Sequence, residues 1–360
     1  MKSALADFKA GIDQLLVFLD STEHEQELIG LLNERKRELP AREYDLLARL
    51  IAAATNTKQY TYTVTIVSLY GLLERLVDSL VSGFVVRLSE FSELYERLPE
   101  VIRKNHLRCS LALAEALLKD RFRTETTNDK VIANLHSCLS GSKDYRLNGA
   151  AFALHRGNVN LGRITEMLAG VGVPNHLERV VRAPTLSQYF VGLELERDIR
   201  ALTNDELRML LEPIDDLVER RNDVSHGVVQ IDDIESIGLL KERCAFICAY
   251  GNALFELLKH DALKYTAEIG VAQALGRPIA VYDHRIVCFE AACQIAVGDQ
   301  IFALTSDALE PVRSGAIASL QIDRVDHREI VTATPVKFGA QVPFHANDGY
   351  DYYSLRADQL

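Results

Sequence analysis

The sequence predicts a mainly α-helical protein: a helical bundle with extra helices at its N-terminus, followed by a small C-terminal β-barrel or sandwich. Three observations lead there. From Ala4 to about Lys264 apolar residues recur at intervals of three and four, as in Ile12, Leu15, Leu16 and Leu19, which is the buried face of an amphipathic helix. Past Gly270 that spacing gives way to short runs rich in Val, Ile and Thr, separated by Gly, Asp and Pro, as in strands. With 360 residues, 48% apolar and 25% charged, the chain is ordinary in composition and long enough for two domains. The expected division is residues 1–58 as an N-terminal helical extension, 59–265 as the bundle and 270–360 as the β domain.

Taken in order, the N-terminal region reads as three helices. Asp20-Ser21-Thr22 offers a fresh N-cap, Pro40 can open a helix, and the polar TNTKQYT run around Asn56 has the composition of a loop. Val64 to Phe91 follows as the most apolar helical stretch, its Leu69, Leu72, Leu73, Leu76, Val77 and Leu80 forming a stripe broad enough for the middle of a bundle. Between about Arg121 and Ala183 the helices shorten, and SGSKDYRLNG, HRGNVN and GVGVPNH carry Gly or Asn where tight turns need them. Thr203-Asn204-Asp205-Glu206 is a capping start for a helix reaching Val224, and a last helix spans Asp232 to about Tyr265. The β region offers five or six short strands, with Gly298-Asp299 and Ser314-Gly315 at turns.

Charge and composition remove several function classes. The chain has 40 basic and 51 acidic residues, a net −11, which argues against a general nucleic-acid coat. The β region, with seven basic and eleven acidic residues, offers no basic surface either. Six scattered cysteines without a CxxC fit neither a zinc ribbon nor a disulfide scaffold, so a reducing cytoplasm is the expected setting. No run of eighteen apolar residues predicts a membrane span. GxxxxGK[ST], GxGxxG after a strand, HExxH and GxSxG do not occur, and no Asp, Glu and His fall at metal-ligand spacing, so neither a metal nor a cofactor is expected. His136 and Cys138 point about 200° apart on a helix, and Cys244 with Cys248 falls in an apolar stripe, so core packing explains them better than chemistry.

The stretch that carries chemistry is Glu219-Arg220-Arg221-Asn222-Asp223-Val224-Ser225-His226-Gly227, at the end of one helix and just before the next. An arginine presents a planar fork of donors to a phosphate, and histidine exchanges protons near neutral pH, so the set suits phosphodiester cleavage. Asn222 and His226, four residues apart, lie about 40° from one another around a helix. Arg221 is offset by about 140° and must reach across with its side chain. Gly227 is a natural C-terminal cap, placing His226 in the last turn, where unpaired carbonyls and Asp223 favour the imidazolium form. The same residues also suit an ordinary helix end, since Arg and His stabilise terminal carbonyls without catalysing anything. His155-Arg156-Gly157-Asn158 is a second candidate, a loop able to bring His155 and Asn158 to a substrate.

RNDVSHG resembles the Arg-x4-6-His signature of the HEPN superfamily, here as Arg221-x4-His226, with the polar Asn222 after the arginine. SLYGLLERLVDSL is similar to the first core helix of its RiboL-PSP-type branch, and HRGNVNLGRITEMLAGVGV to that branch's Gly-Asn turn and following helix. The similarity spans residues 60 to 262. It implies a four-helix-bundle homodimer in which two copies of the motif build one composite site for a structured or loop-bearing RNA. In that site His226 is acid or base for attack of the ribose 2′-hydroxyl, Arg221 stabilises the charged phosphorane, and Asn222 orients the phosphate or His226. A 2′,3′-cyclic phosphate results, without a divalent metal. Arg220, His155 and Asn158 are expected to help bind substrate; Arg220 also gives an admissible Arg-x5-His spacing, and Asp223 puts an anion close by.

The implied setting is a toxin-like or defence-associated effector restrained by an inhibitor or antitoxin protein. The alternative is a non-catalytic member that binds RNA or protein through the bundle and reads a partner through the β domain. Over a few residues, VGDQIF and AIASLQID, the C-terminal region resembles the small barrel that forms the second domain of translation GTPases, which implies a docking module.

Overall fold

The computed structural model describes residues 1–118, 126–155, 157–192, 201–228, 233–307 and 309–359. Among these the chain is helical up to Glu268 and built of short antiparallel strands from Gln273 onward.

Two long helices open the fold: α1 (Lys2–Glu34) and α2 (Ala41–Phe91), with Pro40 at the N-cap of the second. The expected break at Asp20-Ser21-Thr22 is absent. Thr22 is buried, and its hydroxyl donates to the Phe18 carbonyl one turn back at 3.0 Å, so it closes a helical turn rather than starting one. The loop expected around Asn56 is absent too. TNTKQYT is helical, because apolar turns on both sides nucleate the helix and extension through polar residues then adds one hydrogen bond per residue. The extension therefore consists of two helices rather than three, and the division expected between residues 58 and 59 falls inside α2.

The second half of α2 is the axis of the bundle. Leu69, Leu73, Leu76 and Leu80 are buried and share one apolar core with Phe8 and Ile12 of α1 and with Tyr250, Leu254 and Leu257 of α10 (Ile237–Glu268). Gly251 lets α10 approach closely, since a Cβ there would lie 2.6 Å from the Phe8 ring and 2.7 Å from Leu76. Between these come α3 (Glu100–Leu117), α4 (Asn128–Leu139) and the short α5 (Gly149–Phe152), α6 (Leu161–Gly170), α7 (His176–Val181) and α8 (Pro184–Gly192). The helix α9 (Asn204–His226) then leads to the motif. It begins with a full capping box between Thr203 and Glu206 and ends at Gly227 in the left-handed region, φ 68°. α10 starts later than expected, capped by the Ser236 hydroxyl; Asp232 lies outside the described residues.

The C-terminal part has eleven short strands among the described residues, about twice the number expected. β1 (Gln273–Gly276), β5 (Gln300–Leu304), β6 (Arg313–Ala316) and β11 (Asp351–Leu355) form one antiparallel sheet in the order β1-β11-β5-β6. β2 (Ala280–Tyr282), β3 (Ile286–Ala291), β7 (Ser319–Ile322), β8 (Val325–His327) and β10 (Val336–Gln341) form a second, ordered β2-β3-β10-β7-β8. β4 (Gln294–Ala296) pairs with β9 (Glu329–Val331). The sheets enclose one apolar cluster that includes Phe289, Ile301, Leu320, Phe338 and Tyr352. Gly298 turns at φ 94°, as expected, whereas Ser314-Gly315 lies within β6, paired with Phe302 and Ile301, rather than at a turn. Alternation along β5 sends Phe302 the other way, against Leu263 of α10. That contact joins the β part to the bundle.

Candidate functional site

The last turns of α9 place the motif. Leu207, Leu211, Ile214, Leu217 and Val218 are buried along the core-facing stripe of this helix. Continuing the stripe by three and four residues reaches Arg221 and Asn222, so both side chains turn inward where the apolar core has ended. There they meet the HRGNVN loop and α2. Asn158 donates its amide to Asn222 Oδ1 at 2.8 Å, and Arg221 Nη1 donates to Asn158 Oδ1 and to Asn222 Oδ1, each at 3.3 Å. The Arg221 guanidinium lies over the Tyr70 ring, 4.9 Å from its centroid. Among the described residues no carboxylate pairs with Arg221.

The loop carrying Asn158 is fixed at four points. His155 Nε2 lies 3.3 Å from Asp78 Oδ1, and its Nδ1 lies 2.9 Å from the Gly157 carbonyl oxygen. The Val159 N–H donates to the Tyr70 hydroxyl at 3.0 Å, and the Leu161 N–H donates to Asp215 Oδ1 at 2.8 Å. The Asp78 carboxylate beside it raises the His155 pKa against the opposing effect of its burial. Burial pushes the Tyr70 hydroxyl up to about 12, so it stays a neutral phenol, accepting from Val159 and donating to Glu74 Oε1 at 2.8 Å. Arg156, the loop's own cation, lies outside the described residues.

Arg220 faces a different neighbourhood. Its Nε donates to Asp216 at 2.8 Å and its Nη1 to the Tyr62 hydroxyl at 3.2 Å, while Nη2 lies 3.4 Å from Glu235. Arg243 completes the network, 2.6 Å from both Asp216 and Glu235. Burial alone raises the Asp216 carboxyl, but hydrogen bonds and charge from Arg220 and Arg243 outweigh it and hold the group below its ordinary value. Two cations are matched to two anions here, so Arg220, expected to help bind substrate, is held in an ion-pair network apart from Arg221.

His226 ends α9, exposed, and among the described residues its ring has no hydrogen-bond or ion-pair partner. No hydrogen bond links it to Arg221, Asn222 or Asn158. Asp223 is exposed, turned away from the amide cluster. The structure thus brings Arg221, Asn222 and Asn158 together, sets His155 on the neighbouring loop anchor, and leaves His226 projecting beyond them. A cleft of 640 Å³ opens beside Asn158 and Asn222, walled by Arg163 but also by Glu166, Asp215 and Glu219. Among the described residues no group of three or more His, Cys, Asp or Glu is placed to hold a metal ion, and no helix is long and apolar enough to cross a membrane.

Tyr70, Glu74 and Asp78 were not among the residues expected in the site. Their signal is present in SLYGLLERLVDSL: three polar side chains at intervals of four, lying one above the other beside the apolar stripe of Leu69, Leu73, Leu76 and Leu80.

The helical bundle that runs up to Glu268 is the architecture of HEPN domains. The RiboL-PSP-HEPN family matches residues 25–260, and the chain belongs to that family. The comparisons found no matching curated protein and no matching solved structure.

Proposed function

We propose that the protein is a metal-independent RNA endonuclease whose site combines Arg221, Asn222 and His226 from two copies of the chain. The observation that carries this reading is the contrast at the end of α9: Arg220 is neutralised by carboxylates, whereas among the described residues Arg221 is held by amide oxygens and an aromatic face. A half-buried guanidinium with no carboxylate partner among the described residues is prepared to receive an anion, and the oxygens of a phosphodiester match its planar fork. Asn158 and Asn222 hold it in position, and His155 stands beside the same loop.

In the proposed reaction one His226 imidazole takes the proton of a ribose 2′-hydroxyl. The 2′-oxygen attacks the adjacent phosphorus, Arg221 stabilises the charge that builds on the non-bridging oxygens, and the bond to O5′ breaks. The second His226, protonated, returns a proton to O5′. The products are a 2′,3′-cyclic phosphate and a 5′-hydroxyl. Glu166, Asp215 and Glu219 beside the cleft, with the net charge of −11, restrict RNA contact to this local patch, so structured or loop-bearing RNA is the expected substrate. Such an activity is toxic unless restrained, which fits a toxin-like or defence effector held by an inhibitor protein in the cytoplasm.

The test is cleavage of structured RNA in the presence of a metal chelator. Arg221→Ala and His226→Ala are each expected to lower the rate by about 100-fold or more, the loss typical when one transition-state donor is removed. Intact RNA with the unmodified protein under every metal-free condition, together with equal growth of cells expressing it or His226→Ala, would remove the nuclease reading. The acidic wall of the cleft favours a second reading, a non-catalytic binding protein, in which both substitutions weaken partner or RNA capture and no cleavage product forms with any form of the chain.

A further inference from the structure

A larger cleft, of 910 Å³, opens where the bundle meets the β part. Sites that take small molecules measure roughly 300 to 1,000 Å³. Residues of α1, α8 and α10 form one wall, and the segment running into β6, with the loop after β10, forms the other. Lys259, on the α10 wall, follows Arg243 by about 24 Å along the helix axis at 1.5 Å per residue. The cleft is therefore separate from the one beside Asn158 and Asn222.

Its charge sets it apart from the rest of the molecule. Four cations and two carboxylates line it, in a chain whose net charge is −11. Arg182 pairs with Glu178 at 2.5 Å, and Arg313 with Glu310 at 3.5 Å. Glu256 accepts from both the N–H and the hydroxyl of Thr185. Lys9 and Lys259 are left, with no hydrogen-bond or ion-pair partner among the described residues. Lys259 is half-buried, and burial together with the charge of Lys2 lowers its pKa against the pull of Glu256. An ammonium withdrawn from water without an anion is destabilising, and a bound anion relieves that cost.

The other lining groups narrow the anion's chemistry. Phe255 of α10 and Phe344 of the β part enter from the two walls, each partly buried against its own apolar core. Neither packs on another aromatic ring among the described residues. The Ser187 and Ser314 hydroxyls also have no partner among the described residues. Asn252 donates its amide to the Cys248 carbonyl at 2.7 Å, which keeps its side-chain oxygen for another donor. Two lysines on different helices suit a phosphate monoester, almost doubly charged near neutral pH, better than a single carboxylate. Rings on facing walls suit a flat heterocycle stacked between them. An acyl chain in that place would leave the amide and the hydroxyls unpaired.

We propose that this cleft binds a nucleoside monophosphate, with its phosphate on Lys259 and Lys9 and its base between Phe255 and Phe344. Such a ligand touches the bundle and the β part at once, so its binding tightens their junction. The site uses none of Arg221, Asn222 or His226 and stands apart from the nuclease reading.

The test is calorimetric titration of the full chain with the common ribonucleoside 5′-monophosphates, with their nucleosides and with inorganic phosphate. At least one nucleotide is expected to bind once per chain at micromolar concentration, at least about tenfold tighter than its nucleoside or phosphate alone. Lys259→Met keeps the half-buried stem and removes the charge, and should weaken that binding by at least about tenfold. Phe344→Ala should weaken it by about three- to tenfold. Helicity should be unchanged in both. Because a nucleotide can also occupy the proposed RNA site, Arg221→Ala is measured alongside and should bind as the unmodified chain does. The proposal is overturned if no nucleotide binds below about 1 mM, or if phosphate or a nucleoside binds as tightly as the nucleotide. It is overturned equally if affinity is lost in Arg221→Ala or kept in Lys259→Met. Binding that Lys259→Met removes and Arg221→Ala retains supports the cleft whether or not RNA is cut, so failure of the nuclease reading is recognised separately.

Discussion

Arg220 and Arg221 are neighbours in sequence and opposites in setting. One side of α9 presents a closed set of charges, Arg220 and Arg243 against Asp216 and Glu235, with the Tyr62 hydroxyl as an added acceptor. The adjacent side presents Arg221 among Asn158, Asn222 and the Tyr70 ring, without a counter-ion among the described residues. A rotation of one residue around the helix separates a cation that holds the fold together from one available to an outside anion. The difference teaches that an arginine's role is set by the charge balance of its neighbours and not by its spacing from a histidine.

The largest expected effect comes from breaking the closed side. Arg243 and Glu235 are only 10% and 12% exposed, so Arg243→Leu leaves two carboxylates sharing one arginine in a nearly dry site. A loss of about 3 kcal/mol in urea unfolding at pH 7 is expected, while Arg221→Leu should change stability by less than about 1 kcal/mol. Equal losses for the two would erase the distinction. The pH dependence of the closed side has a definite sign. Asp216 is held below its ordinary value, so its contribution is present above the ordinary carboxylate pKa and is lost as the pH falls through the lowered one.

A smaller effect is expected on the open side from Tyr70→Phe. The ring stays under Arg221, but the Val159 N–H loses its acceptor, costing about 1 kcal/mol in the same unfolding measurement. RNA cleavage should fall far less than with Arg221→Ala, because the face that supports the guanidinium remains.

The smallest effect belongs to His155. Its pKa is raised in the fold, so pairing with Asp78 stabilises fully below the ordinary imidazole value and that contribution disappears as the pH rises through the raised one. Between pH 6 and pH 9 the unmodified protein should lose well under about 1 kcal/mol that Asp78→Asn does not lose. Parallel stability curves for the two proteins over that range would show that the pair contributes nothing.

Much of this site was legible in the sequence, and the exceptions have physical causes. The Thr203 capping box, the Gly227 stop and the convergence of Asn158 with Asn222 all follow from local signals or from family likeness. The choice between Arg220 and Arg221 was open on motif spacing, and the buried stripe does not close it, since Leu217 leads by three residues to Arg220 and by four to Arg221; what distinguishes the two is the carboxylates around Arg220, which lie far away in sequence or one turn back. The N-terminal breaks misled because cap and loop signals are local preferences of a few tenths of a kcal/mol to about 1 kcal/mol, which burial of Thr22 and propagation through Asn56 override. The doubled strand number arose because single Gly and Asp residues divide the β region more finely than apolar runs suggest.

α10 begins beside the paired charges, with Arg243 on its second turn, and ends with Leu263 seated under Phe302 of the β part. At 1.5 Å per residue its 32 residues make a rod of about 48 Å. A molecule that grips the β sheets consequently pulls on a stiff lever footed next to the C-terminal end of α9, and not on a slack tether.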